Sequence, residues 1–354
     1  MRRAVKGMES VKKLGSKDIA KLAGVSRSTV SRVINNYPNV PDSTRQSVMK
    51  VIRENHYFPQ VSGQLLSGMP SRTIGLFWLS KSAIAKDSLS SQYFVSIVDA
   101  AAARGYLVLS CIEESLSDAK SADNIRKIFM SGRIDAGIFI GAENGEPLVE
   151  ELVALGRIVG LFDYFLAASP SANRLTVNFE RNSGARAIDF LCDMGHRDIA
   201  VIYGDLKRFS SANRHESCLQ AMRKRGLEIR RELITDGGIT VKSGYEAAIK
   251  MLKACGGRYP TAVYANNDAV AFGVYRAAEE LGLRVPEDIS VIGSDGHSHG
   301  EDTKPPLTTI GFDFDKMFVS LVNRVVDTVE KRETYIVDEF FWGNLINRES
   351  VKRL

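Results

Sequence analysis

From Thr73 onward the chain alternates short apolar runs with segments of helical period, and that alternation leaves few folds open. TIGLFWLS reads as a buried strand, and residues 93 to 104 as a helix with Phe94, Ile97, Val98 and Ala101 inward. YLVLSCI is the next strand, 122 to 130 a helix, DAGIFIGA a strand, then a helix near 148 to 155 and a fourth strand, RIVGLFDY. After a gap the pattern resumes: a helix over 183 to 194, strand IAVIYGD, helices over 211 to 225 and 243 to 254, strand TAVYAN, a helix over 269 to 281 and strand ISVIGSD. Repeated strand–helix units demand parallel sheets covered on both faces. There are too many strands for one comfortable sheet, so the expectation is two similar doubly wound α/β subdomains with a cleft between them, the default ligand site of such folds.

Ahead of this body lies a stretch of another kind, SKDIAKLAGVSRSTVSRVIN, residues 16 to 35. Ser16 is an N-cap candidate, and Ile19, Ala20, Leu22 and Ala23 give a first helix its apolar side. Gly24 supplies the backbone freedom to stop it, and Val25 plugs the corner. Ser26 caps a second helix in which Val30, Val33 and Ile34 recur at i, i+3, i+4. The opposite face carries Arg27, Ser28, Ser31 and Asn35: donors and acceptors, with no carboxylate to be repelled by a phosphate backbone. The stretch is a helix-turn-helix whose second helix is built to enter a major groove; the competing reading is an ordinary helical hairpin. A third helix, capped by Asp42 or Ser43 and lined by Val48, Val51 and Ile52, closes an all-α head over 16 to 58. Residues 1 to 15 form a basic arm and 59 to 71 a linker. Within the linker, 61 to 67 is too short to hold a helix alone and would fold only against DNA or a partner copy.

Charge divides the chain in the same way. Residues 1 to 72 hold 13 Lys+Arg against 4 Asp+Glu, a net of +9, and the remainder holds 34 against 38, a net of −4. A basic head on a mildly acidic body fits a nucleic-acid-binding module joined to something else. Cys111, Cys192, Cys218 and Cys255 are far apart with no CxxC spacing and read as reduced thiols of a cytoplasmic protein. No run has the length to cross a bilayer, and the basic start has no apolar segment behind it, so no membrane association is expected. There is no GxSxG elbow, P-loop or HExxH, and no nucleophile, base or metal set; neither enzyme activity nor a cofactor is expected. His297 and His299 could share a metal but lack a third ligand, and read as a solvated loop.

The run DIAKLAGVSRSTVSRVINN resembles the lactose/galactose repressor (LacI/GalR) family of bacterial transcription regulators. MGHRDIAVIYGD, ANNDAVAFGVYRAAEELGLRVPEDISVIGSD and PPLTTI resemble that family's effector domain, which has a periplasmic-binding-protein-like fold. The resemblance runs from about Ser16 to INRES. It implies an N-subdomain of about 72–171 and 311–335 and a C-subdomain of about 172–310 and 336–354. It implies that Arg27 and Ser28 read base edges, that Arg32 completes base contact, and that Thr29, Ser31 and Asn35 hold phosphate, with the cap Ser26 beside them. Arg27 as a phosphate contact stays open. Leu66 matches the hinge leucine that wedges into the minor groove, with Gly63 departing from the usual Ala.

For the effector the resemblance implies Tyr93, Phe94, Asp163, Arg214, Ile239, Asn267 and Asp295. Other readings of some of these stand beside it: a structural ion pair for Arg214 and Asp295, strand-end capping for Asp163 and Asn267, and core for Phe94. Ile239 stands where lactose-type relatives place a sugar-stacking Trp, and Gly141 where they place an Asn. Carboxylates, an amide and an arginine around one cavity suit a neutral polyol. The expectation is a homodimer on double-stranded operator DNA controlled by a mono- or disaccharide, without the C-terminal heptad segment that makes some members tetramers. The alternative is a corepressed member answering to a purine or a phosphorylated partner protein.

Overall fold

The computed structural model describes residues 14–34, 37–57, 70–79, 88–113, 116, 118–165, 171–331 and 338–354. They fall into two units, one ending at Ser71 and one beginning at Arg72. In the first, α1 (Ser16–Leu22), α2 (Arg27–Ile34) and α3 (Asp42–Glu54) enclose a small core of Ile19, Ala20, Val30, Val33, Val40 and Val48. The turn after α1 is a Schellman motif. Gly24 takes φ +66°, the Val25 N–H donates to the Ala20 carbonyl at 3.0 Å, and Val25 packs on the core. Arg45 of α3 reaches the carbonyls of Val33 and Tyr37, closing the far end of α2.

Three expectations for the head are corrected. Ser16 is the first helical residue rather than the cap; Gly15 holds the cap position, its N–H donating to Asp18 Oδ2 at 2.8 Å. Leu22 is 55% exposed because it lies about 160° around the helix from the buried Ala20. The third helix is capped by neither Asp42 nor Ser43: Pro41 precedes it, and Asp42 sits in the first turn, where a carboxylate favours the helix dipole. Asn35, Gly63, Leu66 and the 61–67 segment lie outside the described residues.

The second unit contains two six-stranded sheets. The first lobe is built on β1 (Thr73–Leu79), β2 (Leu107–Glu113), β3 (Ala136–Ile140), β4 (Ile158–Phe162), β5 (Arg174–Phe179) and β11 (Asp338–Phe341), in the spatial order β11-β5-β4-β3-β1-β2, all parallel. The helices α4 (Ser88–Ala103), α5 (Ala119–Met130), α6 (Pro147–Ala154) and α11 (Phe314–Val329) cover it. Alternation along β1 shows why both faces need cover. Ile74, Leu76 and Trp78 point to α4 and α11, and Phe77 and Leu79 point to α5 and α6. The second lobe uses β6 (Ile199–Tyr203), β7 (Ile234–Asp236), β8 (Ala262–Ala265), β9 (Ser290–Asp295), β10 (Thr308–Gly311) and β12 (Asn344–Ile346). Their order is β12-β10-β9-β8-β6-β7, with only β12 antiparallel. Its helices are α7 (Ser183–Asp193), α8 (Phe209–Lys224), α9 (Val241–Ala254) and α10 (Asp268–Glu280).

The chain passes between lobes three times, after β5, after β10 and after β11. The expected subdomain limits at 172 and 336 are therefore corrected: β5 and β11 pair with each other in the first sheet, so those crossings fall after Phe179 and after Phe341. Buried Glu180 laces two of them together, its Oε1 accepting from Arg186 Nη1 at 2.6 Å and from the Gly343 N–H at 3.1 Å.

The end of the chain is pinned to the second lobe by His196, which is fully buried with Nε2 3.0 Å from the Lys352 carbonyl and Nδ1 3.0 Å from Thr261 Oγ1. Burial holds its pKa below the ordinary value, against the hydrogen bond to Lys352. The unfolded chain takes up this proton near pH 6.5, and the folded chain only at lower pH. Below about pH 6.5 the unfolded state therefore binds more protons, and stability falls. Melting curves between about pH 7.5 and 5.5 should show that fall, reduced in His196→Gln.

Candidate functional site

On α2 the exposed side chains are Arg27, Ser28, Ser31 and Arg32, while Val30 and Val33 are buried and Thr29 is half-buried. The helix carries no acidic residue. Ser26 Oγ accepts the Thr29 N–H at 3.1 Å, so Ser26 is the cap, and it also contacts the hydroxyls of Ser28 and Thr29 at 2.7 and 2.8 Å. Arg27, the first residue of the helix, donates from Nε to Ser16 Oγ at 3.0 Å. That bond anchors the Arg27 side chain near the start of α1 and leaves its terminal nitrogens for an outside acceptor.

Both sheets of the body reverse strand order in the same place, between the first and third strands of each lobe: β1 and β3, then β6 and β8. Ligands of open parallel sheets bind at the carboxyl ends of the strands at such a reversal. In the first lobe Gly141 follows β3 so closely on Leu79 that a Cβ there would meet the Leu79 oxygen at 2.3 Å. The same Cβ position is 3.4 Å from Arg208 Nη2, which comes from the second lobe. The two reversal points therefore face each other.

Asp163, just after β4, has φ +58° and accepts from Ser210, at the start of α8, through both the N–H and the hydroxyl at 2.7 Å. Burial pushes its carboxyl up from the ordinary range, against these two bonds. Nearby, the Asn144 N–H donates to the Lys207 carbonyl at 3.1 Å, and Lys207 pairs with Glu143 at 3.1 Å. The lobes meet along this line.

Behind the line lies Arg214 of α8, almost fully buried. Its Nη1 donates to the Asn266 carbonyl at 2.8 Å, and its Nη2 lies 2.9 Å from Asp295 Oδ1. Phe179 and Phe312 flank the guanidinium at 4.8 and 5.5 Å. Burial works against its charge, and Asp295, Tyr264 and Asp163 together outweigh it, so the pKa is raised. Asn267 caps α10, its Oδ1 accepting from the Val270 N–H at 2.7 Å while Nδ2 donates to the Ile239 carbonyl at 3.3 Å. Arg214 Nε, Arg208 Nε and Asn266 Oδ1 are among the buried polar atoms here that have no hydrogen-bond partner among the described residues, while Arg214 Nη2 and Asp295 Oδ1 meet as an ion pair. Beside them is a cavity of about 400 Å³ lined by Tyr203, Asp205, Leu206, Lys207, Asp236 and Gly238.

Against known proteins, residues 17–60 match the model described as bacterial regulatory proteins of the lacI family, and 188–351 match the periplasmic binding protein-like domain. The HTH-type transcriptional repressor PurR of Erwinia tasmaniensis is 32% identical over 95% of this chain and 96% of its own length, and that of Yersinia enterocolitica is equally similar over the same shares. The chain belongs to the lacI family of bacterial regulatory proteins. It is a DNA-binding transcriptional repressor with an effector-binding domain, and its relatives are regulators rather than enzymes. Among solved structures, the lac repressor dimer bound to operator and the anti-inducer ONPF superposes with a TM-score of 0.81 at 26% identity, covering 96% of this chain and all of that one. The lac repressor bound to ONPG in the repressed state gives 0.79 at 25%, with the same coverage.

In the repressor's effector domain, Arg214, Asp295, Asn267 and Ile239 meet at the reversal point of the second sheet, and Asp163 joins them through Ser210. Tyr93 does not. It is packed in the first lobe among Phe162, Phe314 and Phe318 at 5.4, 4.7 and 4.8 Å between ring centres. Phe94, expected inward, is 39% exposed; adjacent helical residues point about 100° apart, and Tyr93 holds the core side. His297 is corrected as well. It is buried edge-on to Phe272 at 5.5 Å, with its N–H on Asp268 at 2.7 Å, and is no solvated loop residue. No cluster of three metal-ligating side chains occurs among the described residues, and no described helix is long and apolar enough to cross a membrane. Arg208 and Ser210 escaped the sequence reading; the one available signal was their place at the strand-to-helix junction after β6, five and seven residues past the strand end.

Proposed function

We propose that this repressor is a cytoplasmic homodimer that grips a near-palindromic operator and is released from it by a mono- or disaccharide bound between its lobes. The observation that carries the reading is the buried Arg214–Asp295 pair at the reversal point of the second sheet, 2.9 Å apart, with Asp163 across the lobe boundary. Its charges balance internally, so a neutral, hydroxyl-rich molecule can exchange hydrogen bonds with it without bringing an uncompensated charge indoors. A helix-turn-helix monomer covers one half-site only, which favours the two-fold dimer. The likeness to a lac repressor dimer on its operator supports the same arrangement. Arg27, Ser28 and Arg32 read bases, Ser31, Thr29 and Asn35 hold phosphate, Ser26 sets the start of the helix, and Leu66 wedges into the minor groove.

Two measurements test this. The first selects duplexes from a random pool with the full chain, then follows operator affinity as galactose, glucose, lactose, cellobiose or hypoxanthine is added. A sugar should weaken binding by about 5–150-fold, the usual range of allosteric coupling. Stronger binding with hypoxanthine would favour the corepressed alternative instead. The second repeats the selection with Arg27→Ala, which should relax base preference at one position per half-site, a loss of about 1–3 kcal/mol of discrimination. An unchanged preference would make Arg27 a phosphate contact.

A further inference from the structure

Asn266 stands immediately after β8, at the carboxyl edge of the second sheet and at its order reversal. It is 2% exposed. Its backbone is fully used, the N–H donating to the Ile202 carbonyl at 2.9 Å and the carbonyl accepting from Arg214 Nη1 at 2.8 Å. Its side chain is half used. Nδ2 donates to Ser211 Oγ at 3.0 Å, and Oδ1 has no partner among the described residues. Turning the amide over does not remove the deficit, since Ser211 can satisfy one end only.

Room for this carboxamide is made by Gly204, at the end of β6, where a Cβ would meet Asn266 Nδ2 at 2.7 Å and Ser211 Oγ at 2.8 Å. Gly204 lies between Tyr203 and Asp205, both of which line the cavity described above. The same Cβ position is 3.2 Å from the Gly238 carbonyl, and Gly238 lines that cavity too. Asn266 does not itself line the cavity; its amide packs on Gly204, which stands between two residues that do. A polar atom left unpaired in the interior is unfavourable by about 1–3 kcal/mol, so one kept a single residue behind a ligand-sized cavity calls for a partner that arrives with the ligand.

We infer that Asn266 is a specificity-determining residue of the effector site, its free amide end taking a hydrogen bond from one hydroxyl of the bound sugar. The inference rests on the sugar reading above. Ser211 and Gly204 orient the amide, and Arg214 fixes the backbone that carries it. The effector thus meets a neutral acceptor here, next to the charged pair that holds its other hydroxyls.

Calorimetric titration of the full chain with galactose, glucose, lactose and cellobiose tests this, followed by the single-deoxy series of the sugar that binds most tightly. Asn266→Ala should weaken that sugar about five- to tenfold, the loss of one neutral hydrogen bond. One deoxy analogue should lose the same factor against wild type and then bind wild type and variant alike. Equal binding of the parent sugar by both proteins overturns the inference, as does a variant that weakens every deoxy analogue by the same factor. Asn266→Ser keeps a hydroxyl beside Ser211 and withdraws the longer amide, which guards against loss through misfolding. If neither variant folds, Asn266 is structural and the inference fails. A wild-type chain that binds none of the four sugars overturns the sugar reading itself, and this inference with it; a failure confined to Asn266 leaves wild-type binding in place.

Discussion

Arg214→Ala is expected to abolish the response to effector while the repressor still binds its operator. The guanidinium holds Asp295 at 2.9 Å and the Asn266 carbonyl at 2.8 Å, so its removal strips the cleft of its one buried cation among the described residues at that point and of the brace on the β8 end. Effector affinity should fall at least about 100-fold, since hydrogen bonds to charged groups are worth roughly 1.5–3 kcal/mol each and several are lost together. Stability should fall as well. Asp295 is left largely buried without the Arg214 charge and close to Asp268, whose own carboxyl is pushed up to about 7, chiefly by burial and then by Asp295. Breaking a buried pair from one side typically destabilises by about 3–5 kcal/mol.

The double variant Arg214→Met, Asp295→Asn separates the two effects. It should recover much of the stability in urea denaturation and none of the effector response in operator titrations. If Arg214→Ala still responds, the cleft reading is wrong; if the double variant responds, the pair is structural.

Gly184→Ala should be nearly as damaging, although it touches no ligand. Gly184 lies in the first turn of α7, against α8, and a Cβ there would stand 2.0 Å from the Arg214 carbonyl oxygen, 2.8 Å from its carbon and 3.0 Å from its Cα. All three are backbone atoms, so no side chain can turn aside; the helices must part. Overpacking of this kind destabilises by about 3 kcal/mol. The displacement moves Arg214 off Asp295, and effector affinity should fall more than about tenfold, as a loss of about 1.4 kcal/mol already would. Gly226→Ala is the control. It has φ +67° and nothing within 4 Å of its Cβ position, so it should show only backbone strain of about 1–2 kcal/mol and no change in effector affinity. Denaturation and calorimetry on both variants check the contrast. Equal effects would mean that the α7–α8 contact is softer than its geometry.

What the sequence determined were the features written in neighbouring residues. Gly24 and Val25 dictated the turn of the head, Ser26 the start of α2, and the apolar spacing of Val30 and Val33 its buried side, because capping and helical period act over three or four positions. The alternation of strands and helices dictated mainly parallel sheets with helices on both faces, and the two separate runs of such units pointed to two doubly wound lobes. The tertiary structure alone decided which sheet each strand joins. β11 pairs with β5 across more than 150 residues, and strands as short as β7 and β12 carry too little pattern to be read in one dimension. It also decided between neighbours of equal promise, placing Tyr93 in the core and Phe94 outside, since two adjacent helical residues cannot share one direction. And it brought Arg208, Ser210 and Asn266 to the cleft with Arg214 and Asp295, because a site assembled from the carboxyl ends of separate strands exists only once those strands lie side by side.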